Sequence, residues 1–516
     1  MCDCLGTKKF VAENNIQSSE YDAILLIAHS GRTLKTANLF NTTIEENLKR
    51  DPGLKTEIGV LSFNKIPGGR IIYSPISYID PDYDDVRIIQ QAAAKGTKRA
   101  LLTGSKKLLV VLEDFPEFEK SDLVGILAVL EVLYTPIQYR ERKPSASKKL
   151  DLLGFYTNNN EKTKDIVRLA TMLEGGRHIT RDIAGGDPER MSSVKIQKYL
   201  EEVFSKTSIK LTVISDQIVL EKEYPLFSAV NRGASVVERH RGRIIYMEYN
   251  PPGEVKKTLL LVGKGVSFDT GGADVKSGGA MLSMSRDKCG AAALAGLMKI
   301  VDELKPQNTK VLAGLALVRN SIGSNCYVPD EILISRANVA VRVTNTDAEG
   351  RMAMADVLCK MKEIAVDSIN PHLFTVATLT GHANLTSGNG IGIAMDNGPA
   401  RKAGNSMKLQ KCSEEIGDPF EISVLRREDF QFHKGKVEGE DIHQGVNGPS
   451  TRCQRGHQGP AAFIIMASGL DRYGSESVKP LKFTHLDICG DGAAGYPHPP
   501  TAGSLLTLVT TYLMHQ

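Results

Sequence analysis

The feature that most constrains this chain is a repeated alternation, from about residue 190 onward, of short apolar runs with helix-like stretches. Thr258 to Gly263, Lys310 to Val318, Ala340 to Thr344 and Phe374 to Thr380 read as strands, and helical patterns fall between several of them. Strands that are apolar on both sides and separated by helices pair in parallel, with helices covering both faces. The expected fold is α/β, with a mostly parallel central sheet flanked by helices in a large C-terminal domain. Residues 1 to about 155 carry a second alternation. There Asp22 to His29, Ile58 to Phe63 and Leu108 to Glu113 read as strands, and Asp84 to Lys98 and Asp122 to Tyr134 read as helices. The expected organisation is a small N-terminal α/β domain (1–160), a linker helix (161–188) ended by Gly185-Gly186, and a catalytic domain (189–516).

In such sheets ligands gather beyond the carboxyl ends of the strands, and that is where this sequence concentrates charge. The run Asn345-Thr346-Asp347-Ala348-Glu349-Gly350-Arg351 places two carboxylates two positions apart, followed by a glycine and a guanidinium. In extended backbone, residues i and i+2 share a side, so Asp347 and Glu349 would aim at one point and suit a divalent cation. Gly350 would allow a tight turn there. A second segment runs from the apolar stretch ending at Val262 through Gly263-Lys264-Gly265 and Asp269 to Lys276 and Asp287. Its glycines suggest a loop carrying Lys264 and Asp269. Asp287 opens the Ala-rich stretch from Cys289 to Leu304, where a helix's first turn favours a carboxylate. A lone Asp-x-Glu is ordinarily a solvated turn and a lone lysine a surface group. Four acids gathered with two lysines would repel one another unless cations sat among them, and two ions bridged by shared carboxylates are the economical solution.

At these residues the chain resembles the leucyl aminopeptidase family, cytosolic two-zinc metallopeptidases. The resemblance covers roughly residues 165 to 516 and includes Ala377-Thr378-Leu379-Thr380-Gly381 and Thr484 to Gly490. It implies a metal-dependent aminopeptidase that removes the N-terminal residue of peptides through a water activated by two metals. Asp269 and Glu349 would bridge two divalent ions, zinc with manganese or magnesium as alternatives. Asp347 would complete one metal site, and Lys264 and Asp287 the other. Lys276 would polarise the scissile carbonyl, and Arg351 would hold a bicarbonate acting as general base. Leu379 would offer its backbone carbonyl near the reacting centre, and Met284, Thr378 and Gly381 would line the pocket for the first side chain. The substrate's free α-amine would bind one ion. The resemblance also implies a homohexamer. Physical chemistry agrees with the two lysines' different roles: Lys264 can ligate only when neutral, and Lys276 must keep its charge.

The sequence departs from the family pattern in four places. Met352 stands where leucine is usual. Lys288 replaces a methionine and would add a positive charge beside Asp287. The run Lys276 to Ala280 is rich in glycine, and Asp491 to Pro500 is an unusual Pro/Gly-rich stretch. These departures motivate an alternative, a family-fold protein with little turnover that acts as a binding or scaffolding protein. Nucleotide binding by Gly263 to Gly272 is disfavoured, because the dinucleotide fingerprint needs glycine where Phe268 stands.

A net charge of +4 over 516 residues argues against a dedicated nucleic-acid binder. The scattered cysteines form no paired framework, and the longest apolar runs are too short to span a bilayer. Together with the absence of a signal-like N-terminus, this makes the cytoplasm the expected location, with no membrane partner and with chance matches for the sequons at Asn41 and Asn384. Cys2-Asp3-Cys4 could bind metal only adventitiously. Arg140 to Lys149 is expected to be a solvated loop. His443, Cys453 and His457 fit no zinc template, so Glu428 to Gln458 is expected to be a long surface loop near the mouth of the site. His485 is expected to be a satisfied core histidine.

Overall fold

The computed structural model describes residues 5–66, 68–446, 448–493 and 503–514. Cys2-Asp3-Cys4 and most of the Asp491 to Pro500 stretch lie outside the described residues. The chain forms two compact units, residues 1–178 with 414–417, and residues 179–413 with 418–516. The helix expected between the domains runs Asn160–Gly185, and the division falls inside it, after His178. Its earlier part packs within the first unit, where Arg177 pairs with Glu131. Its last turns belong to the second, where the Thr180 hydroxyl donates to the Ala292 carbonyl at 3.1 Å.

The first unit is built on six strands: β1 (Thr7–Glu13), β2 (Ala23–His29), β3 (Gly59–Ser62), β4 (Arg70–Ile76), β5 (Lys107–Leu112) and β6 (Leu150–Tyr156), in the order β1-β6-β5-β2-β4-β3. All pairings are parallel except β3 with β4. Helices Arg87–Leu102 and Ser121–Leu133 accompany them. Part of the segment read as a solvated loop is ordered here, with Ile137–Arg142 forming a short helix. Arg142 and Lys143 lie over the ring of the preceding Tyr139, cation–π contacts that hold two of the segment's charges against the chain.

The second unit contains β7 (Lys210–Ile214), β8 (Arg243–Tyr249), β9 (Lys257–Asp269), β10 (Thr309–Asn320), β11 (Ile332–Ile334), β12 (Ala340–Arg342), β13 (Pro371–Ala377), β14 (Gly392–Asp396), β15 (Phe420–Ile422), β16 (Ile442–His443) and β17 (Lys482–Asp487). Eight of these form one sheet in the order β15-β14-β17-β13-β9-β10-β8-β7, and β11, β12 and β16 form a small second sheet. The four central strands β17-β13-β9-β10 are mutually parallel, and antiparallel strands flank them. Helix Cys289–Leu304 covers one face of β9 and β10. Helix Glu349–Ala365 covers the other, where Gly314 of β10 faces Met361 and Val357.

The glycines near Lys264 lie in strand β9, which continues to Asp269, and do not mark a loop. Strand β10 pairs alongside β9 as far as Asn320 opposite Asp269. A Cβ on Gly263 would lie 2.7 Å from the Ala291 Cα, and one on Gly290 would lie 2.0 Å from the Val376 carbonyl oxygen. These glycines let helix Cys289–Leu304 approach the sheet. Because β13 ends opposite the first part of β9, with Val376 paired to Gly263, Lys264 emerges beside the carboxyl end of β13.

Candidate metal centre and its cavity

Five of the predicted ligand side chains meet at the carboxyl ends of the central strands. Lys264 and Asp269 come from β9, and Asp287 from the turn before helix Cys289–Leu304. Asp347 comes from the loop after β12, and Glu349 is the first residue of helix Glu349–Ala365. Asp287 is not in a helical first turn: it precedes the N-cap Lys288, and its carbonyl accepts the Val266 N–H at 3.1 Å. Asp347 and Glu349 do not converge through extended backbone either. The Asp347 N–H is held by the Asn345 side chain at 2.8 Å, and the chain enters the helix at Glu349, which turns both carboxylates inward. Gly350 has ordinary helical φ. A Cβ there would lie 2.7 Å from Lys264 Nζ and 2.5 Å from Cε, so the missing side chain makes room for the lysine.

One oxygen from each of Asp269, Asp347 and Glu349 lies within 4.8 Å of the others. The Lys264 ammonium is 2.7 Å from Asp287 and 2.9 Å from Glu349, and donates to the Thr378 carbonyl at 3.0 Å. Lys276 is 3.0 Å from Asp269 and 2.5 Å from Asp347. The predicted pocket residues Met284, Thr378, Leu379 and Gly381 line the same cavity, of about 760 Å³, as do Lys276 and Arg351. The Thr378 hydroxyl donates to Asp287 at 2.9 Å. The segment from Glu428 to Gln458 contributes one wall. It is not simply a loop, since Arg427–His433 is helical.

Electrostatics dominate this site. Burial pushes Asp287 well above the usual carboxylate range, and the neighbouring Glu349 and Asp269 push it further. Burial and the same two neighbours raise Asp347 to about 7. Burial opposes the charge on Lys264, but Asp287, Glu349 and Asp269 outweigh it and raise that lysine. Lys276 is raised in the same way, by Asp269 and Asp347. Burial lowers Arg351 to about 10; its guanidinium donates to the Gln444 carbonyl at 2.9 Å.

The donor set fits divalent cations. Asp287 Oδ2 and Glu349 Oε2 are buried and, among the described residues, accept no hydrogen bond, which is costly for a carboxylate unless a cation engages it. The oxygens and one amine match hard or borderline ions. Arg351 Nε is also buried and has no partner among the described residues, a donor suited to an anion. The Lys288 ammonium feels the Asp287 carboxylate but is held by backbone carbonyls rather than by the ligand side chains. It turns away and donates to the Gly186 carbonyl at 2.9 Å and to the Ser285 carbonyl. The glycine-rich turn after Lys276 has Gly278 and Gly279 at positive φ, with open space around both.

Sequence reasoning missed the residues that hold these ligands. Asn320, the last residue of β10, donates to Asp269 at 2.8 Å and to the Thr346 carbonyl at 3.1 Å. The Tyr327 hydroxyl also donates to the Thr346 carbonyl, at 2.8 Å. Asp274 accepts the Thr346 N–H at 2.7 Å, tying the loop after β9 to the loop after β12. His457 contacts His382 at 2.8 Å and Ser423 at 2.9 Å. Among the described residues, no group of three metal-ligating side chains includes His443, Cys453 or His457. His485 is a core histidine but is not fully satisfied: it lies 2.7 Å from the Thr375 hydroxyl, and its Nε2 is buried with no partner among the described residues. Also among the described residues, no helix is long and apolar enough to cross a membrane.

Comparison with known proteins places the chain in a family. Residues 178–508 match the model of the cytosol aminopeptidase family, catalytic domain. A Caenorhabditis elegans protein named as an aminopeptidase is 39% identical over 513 residues, covering 98% of each chain. A Campylobacter jejuni protein named as a cytosol aminopeptidase is 29% identical over 444 residues, 84% of this chain and 85% of its own. A Thermosynechococcus vestitus protein named in the same way is 35% identical over 266 residues, 51% of this chain and 48% of its own. With the catalytic-domain match spanning more than half its length, this chain belongs to the cytosol aminopeptidase family.

Proposed function

We propose that this chain is a metal-dependent aminopeptidase that removes the N-terminal residue from peptides. The observation that carries the reading is the convergence of Lys264, Asp269, Asp287, Asp347 and Glu349 in one largely buried cluster, with two carboxylate oxygens left unmatched by any donor among the described residues. In this reading Asp269, Glu349, Asp347, Lys264 and Asp287 would hold two divalent ions, zinc, manganese or magnesium, with Asp347 toward one and Lys264 and Asp287 toward the other. The ions would supply a nucleophile at neutral pH and polarise the carbonyl. Lys264 is held charged by its three acidic neighbours, and it becomes a neutral ligand only when cations cancel those acids. Lys276 keeps its charge at the cavity edge. Its ammonium is the group placed to stabilise the negative charge that develops on the carbonyl oxygen. Arg351, through its Nε, would hold a bicarbonate, which would supply a general base. Met284, Thr378 and Gly381 bound the first side chain, and Leu379 offers its backbone carbonyl near the reacting centre.

The family resemblance extends the proposal to a homohexamer in the cytoplasm. The scaffolding alternative drew on Lys288, and that residue is engaged by Gly186 and Ser285, away from the ligand cluster. The test is hydrolysis of an aminoacyl amide by protein of measured metal content. Activity should vanish with a chelator, return with zinc or manganese, and be lost in a folded Asp269→Ala variant. Full activity in Asp269→Ala would refute the reading, and two bound ions without turnover in the parent would favour the scaffold.

A further inference from the structure

Asp487 is the last residue of β17 and pairs in register with Ala377, the last residue of β13. It is fully buried and does not line the cavity. Its carboxylate gathers three donors from the two loops that leave these strands. Oδ2 accepts the Thr380 hydroxyl at 2.8 Å, and Oδ1 accepts the Leu379 N–H and the Cys489 N–H, each at 3.2 Å. Thr380 relays the contact onward, because its hydroxyl also accepts the Ala383 N–H at 3.1 Å and caps helix Gly381–Ser387.

The segment held this way is the wall of the reacting centre. Thr378 accepts from Lys264 through its carbonyl and donates to Asp287 through its hydroxyl, and Leu379 and Gly381 line the cavity. We propose that Asp487 is a positioning residue that fixes the Thr378 to Gly381 wall against Lys264 and Asp287 and thereby sets both turnover and the choice of first side chain. This inference rests on the aminopeptidase reading above. A carboxylate suits the place because two N–H groups and one O–H converge on it, and charge-assisted hydrogen bonds are the strong ones. An asparagine offers one acceptor oxygen and would turn an N–H toward a hydroxyl already accepting from Ala383. Deleting the carboxylate leaves three donors without their acceptor and lets the wall shift, and misplacement by about 1 Å at a reacting centre costs on the order of 10²-fold in rate.

The experiment compares the metal-loaded parent with Asp487→Ala, Asp487→Asn, Thr380→Val and Thr380→Ser on aminoacyl amides with a large and a small first side chain. Thermal unfolding and bound metal are measured on each. The expected result is parental metal content in Asp487→Ala, kcat lower by about 10- to 100-fold, and a ratio of kcat/KM between the two substrates changed at least about fivefold. Asp487→Asn should fall between parent and alanine. Thr380→Val should reproduce the effect on its own, so the outcome stands even where Asp487→Ala does not fold, and Thr380→Ser should recover most of what valine loses. Combining the Asp487 and Thr380 changes should cost less than the sum of the two. A merely structural role would reduce the active fraction and leave KM and the substrate ratio untouched. That result, or kcat within twofold of the parent in folded Asp487→Ala, overturns the inference and leaves the aminopeptidase reading standing. Absence of turnover in the parent overturns both.

Discussion

Gly350→Ala separates function from stability at the candidate metal centre. Gly350 lies in the first turn of helix Glu349–Ala365 with ordinary helical φ, so alanine is locally the better helix former by about 1 kcal/mol. Its Cβ, however, would come within 2.5 Å of Lys264 Cε and 2.7 Å of Nζ, against an ordinary contact of at least 3.4 Å. The shortfall at Cε is 3.4 minus 2.5, a retreat of about 0.9 Å. Overpacking a filled interior costs about 1–3 kcal/mol, and the lysine end is flexible enough to keep that cost at the low end. Setting that cost against the helix gain, the net loss of stability is between about 0 and 2 kcal/mol. Function has no such slack. Lys264 sits 2.7 Å from Asp287 and 2.9 Å from Glu349, and a displacement approaching 1 Å takes its nitrogen out of position for an ion shared with both. The expected loss in kcat/KM is about 10²-fold, or about 2.7 kcal/mol of transition-state stabilisation. The assay is aminoacyl-amide hydrolysis at saturating zinc or manganese, with metal content and thermal unfolding measured on the same preparation. A folded Gly350→Ala protein within threefold of the parent and carrying two ions would refute the assignment of Lys264 as a ligand.

Two further outcomes test the surroundings of the site. Asn320→Ala removes the donor shared by Asp269 and the Thr346 carbonyl, so metal affinity should fall by about 10- to 100-fold; titration of the chelated protein with zinc measures it, and unchanged affinity would show that Asp269 needs no such support. Asp356, fully buried in helix Glu349–Ala365, accepts the N–H groups of Leu226, Phe227 and Arg336, and burial raises its carboxyl to about 7. Between the unfolded carboxyl range near 4 and pH 7 the folded state therefore binds more protons than the unfolded one, and stability must fall as pH rises across that window. Urea unfolding of chelated parent and Asp356→Asn at pH 5 and pH 7.5 should show the parent losing ground to the variant at the higher pH, and a constant difference would contradict the shift.

How much of this was legible in the sequence depends on which physical signal each residue carried. The apolar cores of β2, β5, β9, β10 and β13 announced themselves, because strands covered on both faces must be apolar along their length. The signature from Asn345 to Arg351 announced its chemistry, because paired acids beside a guanidinium are costly without a counter-ion. Glycine misled where it served packing: Gly263 and Gly290 were read as punctuation or passed over, yet they admit a helix to the sheet, and Gly350 admits a lysine. The residues that went unseen, Asn320 and Asp487, are single polar groups at the ends of strands, and nothing in their own neighbourhoods marks them. Their meaning comes from strand order. Because β17, β13, β9 and β10 are adjacent and parallel, the residues that end them are brought to one edge of the sheet, Asp487 opposite Ala377 and Asn320 opposite Asp269. A sequence shows roughly where each strand lies but not which strands are neighbours. Ligands that cluster along the chain can therefore be found from sequence, and the groups that aim them from an adjacent strand need the topology.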